Sequence, residues 1–226
     1  MTSFVFVHGS SHGAWCWEKV VALVKKDRRV KQAIAIDLVG HGARLNEKPL
    51  DAITLDDYIA DIVRAVRETK AKDVVLVGHS LAGASLPQAA AQVAGQLKRV
   101  VLVSCLVPLN GETVWQTVRL KADNRSMEVR YREMLCNDMD TKTADWVISK
   151  LTPEPRKPME TPIARRALPA SLLRTYVMLL KDKTISFDRQ ETHAKTFGAE
   201  IVKVDAGHDV MVSNPKALAQ VLLQFA

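Results

Sequence analysis

The sequence has few cysteines, and none of them is spaced as a metal-ligand pair. Only Cys16, Cys105 and Cys136 occur among 226 residues, and no C-x-x-C pattern is present. A small, odd number of cysteines is typical of a reducing compartment and argues against a disulfide-stabilised scaffold. Hydrophobic residues make up 47% of the chain, which is enough for a core without a structural metal. We therefore expect all three cysteines to be small buried side chains.

Long apolar runs are lacking as well. The apolar runs at 100–103 and 176–180 are far shorter than the ~20 residues that cross a membrane. The first apolar segment begins at Phe4, with no basic region and cleavage pattern around it, so no signal peptide is expected. These absences predict a cytoplasmic protein with no membrane partner.

Positive charge is in excess, but it is not clustered. The formal net charge is +7 and the isoelectric point is near 9.4. Lysines and arginines alternate with acidic residues, as in the segment 128–133. This pattern is typical of a solvated surface and predicts no nucleic-acid partner. Binding to nucleic acid stays an alternative, which a salt-dependent shift of DNA mobility would support.

Short apolar runs alternate with helical patterns along most of the chain. The predicted strands lie at 4–7, 33–37, 73–77, 99–104, 175–180 and 200–204. Continuous apolar runs of this kind indicate parallel strands that are buried on both faces. Helices are predicted at 17–26, 54–69, 81–93 and 214–225. The alternation predicts a doubly wound α/β fold around a six-stranded, mainly parallel sheet.

One segment interrupts this alternation. Between residues 110 and 171 we predict helices at 114–120, 126–135 and 143–150, and an irregular stretch at 152–169 that contains five prolines. About 60 residues are too many for a simple connection, and long excursions of this type are often lids. We expect a core formed by 1–109 and 172–226, with 110–171 inserted as a helical cap.

The strongest chemical signal is a serine between a strand and a helix. The predicted third strand leads directly into Gly78-His79-Ser80-Leu81-Ala82-Gly83. A nucleophile on such a sharp turn needs small neighbours, because the backbone is strained and crowded. Ala82 stands where the usual pattern has a glycine, which is a mild departure. Ser80 is the candidate nucleophile, and a simple helix-capping serine is the alternative.

A base and an acid follow in the order expected for this type of turn. His208 lies just after the sixth predicted strand and Asp182 just after the fifth. Triads of this arrangement run serine, acid, histidine along the chain. Asp188 is a competitor for the acid, although it is expected to begin a helix. Ser104 ends the fourth strand, so no acid stands at that alternative position.

An oxyanion hole needs two backbone N–H groups near the nucleophile. The first strand ends in the segment 8–13, which reads His-Gly-Ser-Ser-His-Gly. Gly9 allows the backbone to pass close to a substrate. The N–H groups of Ser10 and Leu81 are the predicted donors.

Taken together, these motifs resemble the α/β-hydrolase family, and within it the branch of plant methyl esterases and hydroxynitrile lyases. The resemblance covers nearly the whole chain and also includes the segments 12–17 and 37–42, Val107-Pro108, and Gly207-His208. It implies the triad Ser80, Asp182 and His208, the oxyanion-hole donors Ser10 and Leu81, and no metal or organic cofactor.

Two positions separate the esterases from the lyases of this branch. The lyases carry threonine where this chain has Gly9 and lysine where it has Asp209. The chain therefore resembles the esterases, and the expected activity is hydrolysis of a small, mostly hydrophobic ester through an acyl-enzyme. The alternatives are a hydroxynitrile lyase, a lactone or amide hydrolase, and a ligand receptor with weak turnover.

The predicted substrate pocket combines a loop and the cap. Its candidate residues are Gly9, Ser11, His12, Trp115, Leu120, Met127, Met134 and Trp146. The cap residues among them could equally pack the insertion onto the core. The expected partner is a small-molecule ester, and the oligomeric state is open between a monomer and a homodimer.

Overall fold

A six-stranded, all-parallel sheet lies at the centre of the molecule, as the sequence predicts. The computed structural model describes residues 1–118 and 124–226. Its strands are β1 (Thr2–Val7), β2 (Val30–Ile36), β3 (Val74–His79), β4 (Leu97–Val103), β5 (Leu173–Leu179) and β6 (Glu200–Val204). They pair in the order β2-β1-β3-β4-β5-β6, and each neighbouring pair is parallel.

The inner strands are mostly apolar because both faces of the sheet are covered. Phe4 and Phe6 of β1 belong to one core, whereas Val5 and Val7 belong to the other. Side chains alternate between faces along a strand, so a continuous apolar run supplies both cores at once. The predicted fold class is therefore confirmed: helices cover the two faces of a doubly wound sheet.

Ten α-helices are present in the described part of the chain, and none of them is long and apolar enough to cross a membrane. Side chains at the start of two of these helices accept hydrogen bonds from the backbone of the first turn. The Thr54 side chain accepts the Asp57 N–H in a capping box, and Asn214 accepts the Ala217 N–H. The helices are α1 (Glu18–Val24), α2 (Leu55–Glu68), α3 (Ala82–Gln92), α4 (Val114–Val118), α5 (Met127–Leu135), α6 (Thr141–Lys150), α7 (Arg156–Glu160), α8 (Phe187–Phe197), α9 (Val210–Ser213) and α10 (Pro215–Leu223).

The strand order reverses its direction between β1 and β3. The chain runs from β1 outward to β2, and then continues on the other side of β1 with β3 and β4. At such a switch point the loops after two neighbouring strands diverge and leave a crevice, which is where α/β sheets bind ligands. Here the loop after β1 carries Gly9, and the turn after β3 carries Ser80.

The helices α4 to α7 lie between β4 and β5, where the cap is predicted. The prediction of a helix at 114–120 is met as far as Val118, and Leu120 lies outside the described residues. The proline-rich stretch contains one short helix, α7, which the sequence analysis did not predict. Pro155 precedes this helix and Pro158 lies within its first turn, where a missing N–H breaks no helical hydrogen bond.

Candidate active site

Ser80 occupies a strained turn between β3 and α3. Its φ angle is +51°, which is uncommon for a residue with a side chain. The Ser80 N–H donates to Val103 O at 3.2 Å, and its carbonyl accepts the Leu106 N–H at 3.0 Å. Contacts with the end of β4 and the loop after it therefore hold the strained backbone in place. Strain of this kind persists at functional sites when the surroundings fix it.

After the serine, the backbone requires glycine at position 83 and tolerates alanine at position 82. A Cβ atom on Gly83 would overlap the Leu106 carbonyl oxygen and approach Cys105 Cβ at 2.8 Å. Ala82 begins α3 and is buried without such a clash. The departure from the usual glycine pattern thus follows from where the loop after β4 crosses α3.

The structure brings Ser80, His208 and Asp182 into one chain of hydrogen bonds. His208 Nδ1 lies 2.6 Å from Asp182 Oδ2, and His208 Nε2 lies 3.0 Å from Ser80 Oγ. A carboxylate only accepts, so Nδ1 carries a proton and donates it to Asp182. The lone pair of Nε2 can then accept a hydrogen bond from the Ser80 hydroxyl. This arrangement activates a serine nucleophile.

Asp182 is fixed by hydrogen bonds from three further donors. The N–H groups of Thr184 and Ile185 donate to Oδ1 at 2.6 and 2.9 Å, and Ser104 Oγ donates to Oδ2 at 2.6 Å. The competing acid, Asp188, is exposed in the first turn of α8. The sequence analysis noted Ser104 only as the absence of an acid and did not predict its hydrogen bond to Asp182. Ser104 follows β4 at the same edge of the sheet as Ser80, Asp182 and His208, and this position could have predicted its contact with Asp182.

The pKa of His208 is set by opposing effects. Burial lowers the pKa of a histidine, but the charge of Asp182 and the hydrogen bond to it outweigh burial. The pKa of His208 therefore lies above its ordinary value of 6.5. A raised pKa favours proton uptake from Ser80, because it stabilises the imidazolium that forms.

Gly9 and Ser80 approach each other closely. A Cβ atom on Gly9 would lie 2.8 Å from Ser80 Cβ and 3.0 Å from His79 Nδ1. In the described part of the chain, no hydrogen bond has the Ser10 or Leu81 N–H as its donor. The N–H groups of Ser10, next to Gly9, and of Leu81, next to Ser80, are therefore the unused donors that the predicted oxyanion hole requires.

The inserted segment reaches the loop after β1 through Glu154. Its carboxylate accepts the Ser11 N–H at 2.8 Å and the Tyr58 hydroxyl at 2.9 Å, and it lies 3.1 Å from His41 Nε2. Ser11 itself has a φ of +63°. The sequence analysis placed Ser11 in the pocket, whereas the structure shows that its N–H is bound to the insertion. Glu154 was not predicted, because nothing local distinguishes it from other acidic residues in a proline-rich stretch.

His12 is buried and paired with Asp209. His12 Nε2 lies 2.9 Å from Asp209 Oδ2, and His12 Nδ1 lies 2.6 Å from Ser10 O. Asp209 directly follows His208 in the chain, so this contact joins the loop after β1 to the loop after β6. The sequence analysis used Asp209 only to separate the esterases from the lyases, which have lysine at this position.

The apolar residues predicted for the cap side of the pocket lie in different environments. Trp115 is 45% exposed and Met127 is 50% exposed. Trp146 packs edge-on against Trp15, with ring centroids 5.2 Å apart. These two tryptophans line a cavity of about 380 Å³ together with residues of α1 and α6, and no residue of the Ser80–His208–Asp182 chain lines it. Met134 contacts the acid loop through its carbonyl, which accepts the Thr184 hydroxyl at 2.8 Å.

The turn between α5 and α6 holds two catalytic loops by their backbone. Asn137 Nδ2 donates to Lys181 O at 2.9 Å, next to Asp182. Asp138 Oδ2 accepts the Gly207 N–H at 2.6 Å, next to His208, and the Ser213 hydroxyl at 2.9 Å. The insertion thus supports the residues that flank the acid and the base.

Within the described residues, one group of potential metal ligands gathers: His79, His208 and Asp209. Most of its ligand atoms are already used, since His79 Nε2 donates to His208 O at 3.0 Å and both His208 nitrogens are bonded. The atoms left without a partner are His79 Nδ1 and Asp209 Oδ1. Two free ligand atoms are fewer than the three or four protein ligands of a zinc site. The three cysteines are free and buried.

Known proteins resemble this chain over nearly its whole length. The model of the family described as "Alpha/beta hydrolase family" matches residues 4–221. The chain is 27% identical over 246 residues to the carbendazim hydrolyzing esterase of Nocardioides sp. (strain SG-4G), and the match covers 98% of each chain. Methyl jasmonate esterase 1 of Vitis vinifera is 33% identical over 133 residues, which cover 57% of this chain and 49% of that relative. The chain therefore spans about half of this second relative.

Solved structures show the same fold. A methylesterase from Arabidopsis superposes with a TM-score of 0.83 at 22% identity, covering 99% of this chain and 98% of that one. Polyneuridine aldehyde esterase gives a TM-score of 0.83 at 20% identity, again covering 99% of this chain and 98% of the other.

Proposed function

Since the chain belongs to the alpha/beta hydrolase family, we propose that it is a serine carboxylesterase. The observation that carries this proposal is the hydrogen-bond chain from Ser80 Oγ through His208 to Asp182, with distances of 3.0 and 2.6 Å. An oriented serine, a base facing its hydroxyl and an acid facing the base are the parts that acyl transfer needs.

In the proposed reaction, Ser80 Oγ attacks the ester carbonyl carbon while His208 Nε2 takes up the hydroxyl proton. Asp182 accepts the hydrogen bond from His208 Nδ1, which keeps the useful tautomer and stabilises the imidazolium. The N–H groups of Ser10 and Leu81 bind the negative oxygen of the tetrahedral intermediate. His208 then protonates the leaving alcohol, and a water molecule activated by His208 releases the acid and restores Ser80.

The surroundings of Gly9 favour ester hydrolysis over hydroxynitrile cleavage. A threonine at this position, as in the lyases of this branch, would bring its Cβ to 2.8 Å from Ser80 Cβ. Asp209 stands where those lyases have lysine, and its carboxylate is paired with His12. Both positions therefore support an esterase, because an aspartate at position 209 would oppose a departing cyanide anion.

The relatives suggest which esters to test. One is named for hydrolysing carbendazim and the other as an esterase of methyl jasmonate. We infer that the substrate is a small, mostly hydrophobic ester, and both compounds belong in the first assays beside p-nitrophenyl acetate.

The test is active-site titration with p-nitrophenyl acetate. The wild-type protein should release one equivalent of p-nitrophenol in a burst and then turn over steadily, because an acyl-enzyme forms and is hydrolysed. Ser80→Ala should lose both phases. Ser149→Ala is the matched control, since Ser149 is exposed on α6 and its hydroxyl contacts only the Trp146 carbonyl.

Full turnover by Ser80→Ala would overturn the proposal. A burst without steady turnover would instead favour a receptor that binds and reacts once. Release of cyanide from mandelonitrile, in place of ester turnover, would favour a lyase.

A further inference from the structure

The ring of His12 lies between two groups that only accept hydrogen bonds. Its Nδ1 is 2.6 Å from the Ser10 carbonyl oxygen, and its Nε2 is 2.9 Å from Asp209 Oδ2. A carbonyl oxygen and a carboxylate oxygen both lack a proton to give. Both ring nitrogens therefore donate, and His12 is an imidazolium that forms a buried ion pair with Asp209.

Burial of the pair is nearly complete. The side chains of His12 and Asp209 are 2% and 0% exposed. Burial alone would lower the pKa of His12, but the charge of Asp209 and the hydrogen bond to it outweigh burial, so this pKa is raised. The groups that face the pair from other elements are His79, His208, Glu154, Cys16 and Cys136.

His12 holds a peptide group beside the oxyanion hole. The Ser10–Ser11 peptide gives its carbonyl to His12 and its N–H to Glu154. The preceding peptide, which contains the Ser10 N–H, is fixed through the Gly9 carbonyl by His8 Nδ1 at 2.8 Å. The direction of the Ser10 N–H is therefore set by the rings of His12 and His8, which bind the carbonyl oxygens of Ser10 and Gly9.

Asp209 connects this arrangement to the catalytic base. It follows His208 directly, and its own carbonyl accepts the N–H groups of Val212 and Ser213 at 2.8 and 3.0 Å. The His208 carbonyl is held by His79 Nε2. A displacement of Asp209 would therefore move the loops of the base and of the oxyanion hole relative to each other.

We propose that the buried His12–Asp209 ion pair fixes the positions of the Ser10 N–H and the His208 ring relative to each other around Ser80. This inference rests on the proposed esterase function. It assigns roles to two buried residues that act through the Ser10 peptide and through the residue next to His208, so they are positioning residues and not catalytic ones.

The test separates transition-state stabilisation from binding and from folding. Asp209→Ala should lower kcat about 10- to 100-fold, less than the ~10²- to 10³-fold loss on removing an oxyanion-hole donor outright. KM should stay within about threefold. Affinity for a trifluoromethyl ketone, which forms a tetrahedral oxyanion on the serine, should fall by the same factor as kcat/KM. Asp209→Asn should recover part of the loss, because its amide still bonds to His12.

A matched control is Asp61→Asn. Asp61 is also buried, and it accepts the Val39 N–H and pairs with Arg44, neither of which belongs to the Ser80–His208–Asp182 chain. It should lower thermal stability and leave the ketone affinity unchanged. Equal ketone affinity in Asp209→Ala and the wild type would overturn the inference, as would a loss confined to KM.

A second measurement needs no variant. In the ¹⁵N-histidine NMR spectrum at pH 7.5, the His12 ring should show two protonated nitrogens, although this pH exceeds the ordinary histidine pKa of about 6.5. A neutral His12 ring would overturn the ion pair. If Ser80→Ala stays fully active, the esterase proposal fails. If Ser80→Ala is inactive and Asp209→Ala has wild-type kcat, only this inference fails.

Discussion

In the loops that follow the strands, side chains meet each other: Ser80 contacts His208, and His208 contacts Asp182. In the segment between β4 and β5, two side chains instead bind the backbone of those loops. Asn137 binds the Lys181 carbonyl and Asp138 binds the Gly207 N–H. The loops thus carry the proposed reacting groups, whereas the insertion binds the chain next to two of them.

This difference follows from the topology. Parallel strands bring their carboxyl ends to one edge of the sheet, so loops distant in sequence meet there whatever lies between them. The insertion has no such constraint and is held by contacts that depend on its own fold. Mutations in the two regions should therefore differ in kind: those in the loops act on the chemical step, and those in the insertion act on the precision of the loops.

The largest effect is expected for Asp182→Asn. An amide can offer its N–H to His208 Nδ1 and so stabilise the wrong tautomer, which costs about 10⁴-fold in kcat in triads of this type. Steady-state kinetics with p-nitrophenyl acetate measures the loss. Asp188→Asn is the control, because Asp188 is exposed at the start of α8. If the two variants lost equal activity, the acid would have to be reassigned.

Gly9→Ala comes next. The added Cβ would lie 2.8 Å from Ser80 Cβ, so the loop after β1 must move and take the Ser10 N–H with it. Loss of one oxyanion-hole donor costs about 10²- to 10³-fold in kcat. The loss should appear in kcat with little change in KM. Wild-type kcat in this variant would place the oxyanion hole elsewhere.

The two regions also differ in how far the sequence predicts them. Ser80, Asp182 and His208 could be predicted because each follows a strand, and strand order fixes where their loops meet. Glu154, Asn137 and Asp138 could not, since their importance depends on how the inserted helices lie on the core. Trp115 and Met127 were predicted as pocket residues from their apolar character and their place in the insertion; both are about half exposed, and their contact with a substrate stays a prediction.

The pH profile of the reaction tests the loop side of the comparison. Burial lowers the pKa of His208, but Asp182 and its hydrogen bond raise it above 6.5, and both groups lie on loops of the sheet. Catalysis needs the neutral ring, so kcat/KM should fall about tenfold per pH unit below this pKa. The midpoint of the fall should lie above pH 6.5. A midpoint below 6.5 would contradict the balance of charges described for this site.

Asp138→Ala tests the insertion side. It removes the acceptor of the Gly207 N–H and the Ser213 hydroxyl, and an unpaired buried donor costs about 1–3 kcal/mol of stability. Because Gly207 precedes His208, kcat should also fall, by about tenfold at most, through small misplacement of the base.

The control for this variant is Asp140→Ala. Asp140 caps α6 by accepting the Thr143 N–H, so its loss should cost about 1 kcal/mol of stability without reaching a catalytic loop. Thermal denaturation should place the two variants close together, and kinetics should separate them. Equal kcat in both would mean that the insertion does not support His208.

The smallest effect is expected for Trp146→Ala, which asks whether the apolar face of α6 belongs to the substrate pocket. Trp146 packs edge-on against Trp15, and Trp15 stacks on His12 with ring centroids 5.2 Å apart. Loss of an aromatic pair costs about 0.5–1.5 kcal/mol, so the melting temperature should fall by a few degrees. Both kcat and KM should stay close to wild type, since the cavity beside Trp146 is not lined by Ser80, His208 or Asp182.

Trp115→Ala is the control: Trp115 is 45% exposed on α4, and its loss should change neither stability nor kinetics. A tenfold rise in KM for Trp146→Ala would show that the insertion contributes substrate contacts after all, and the division between reacting loops and supporting insertion would then no longer hold.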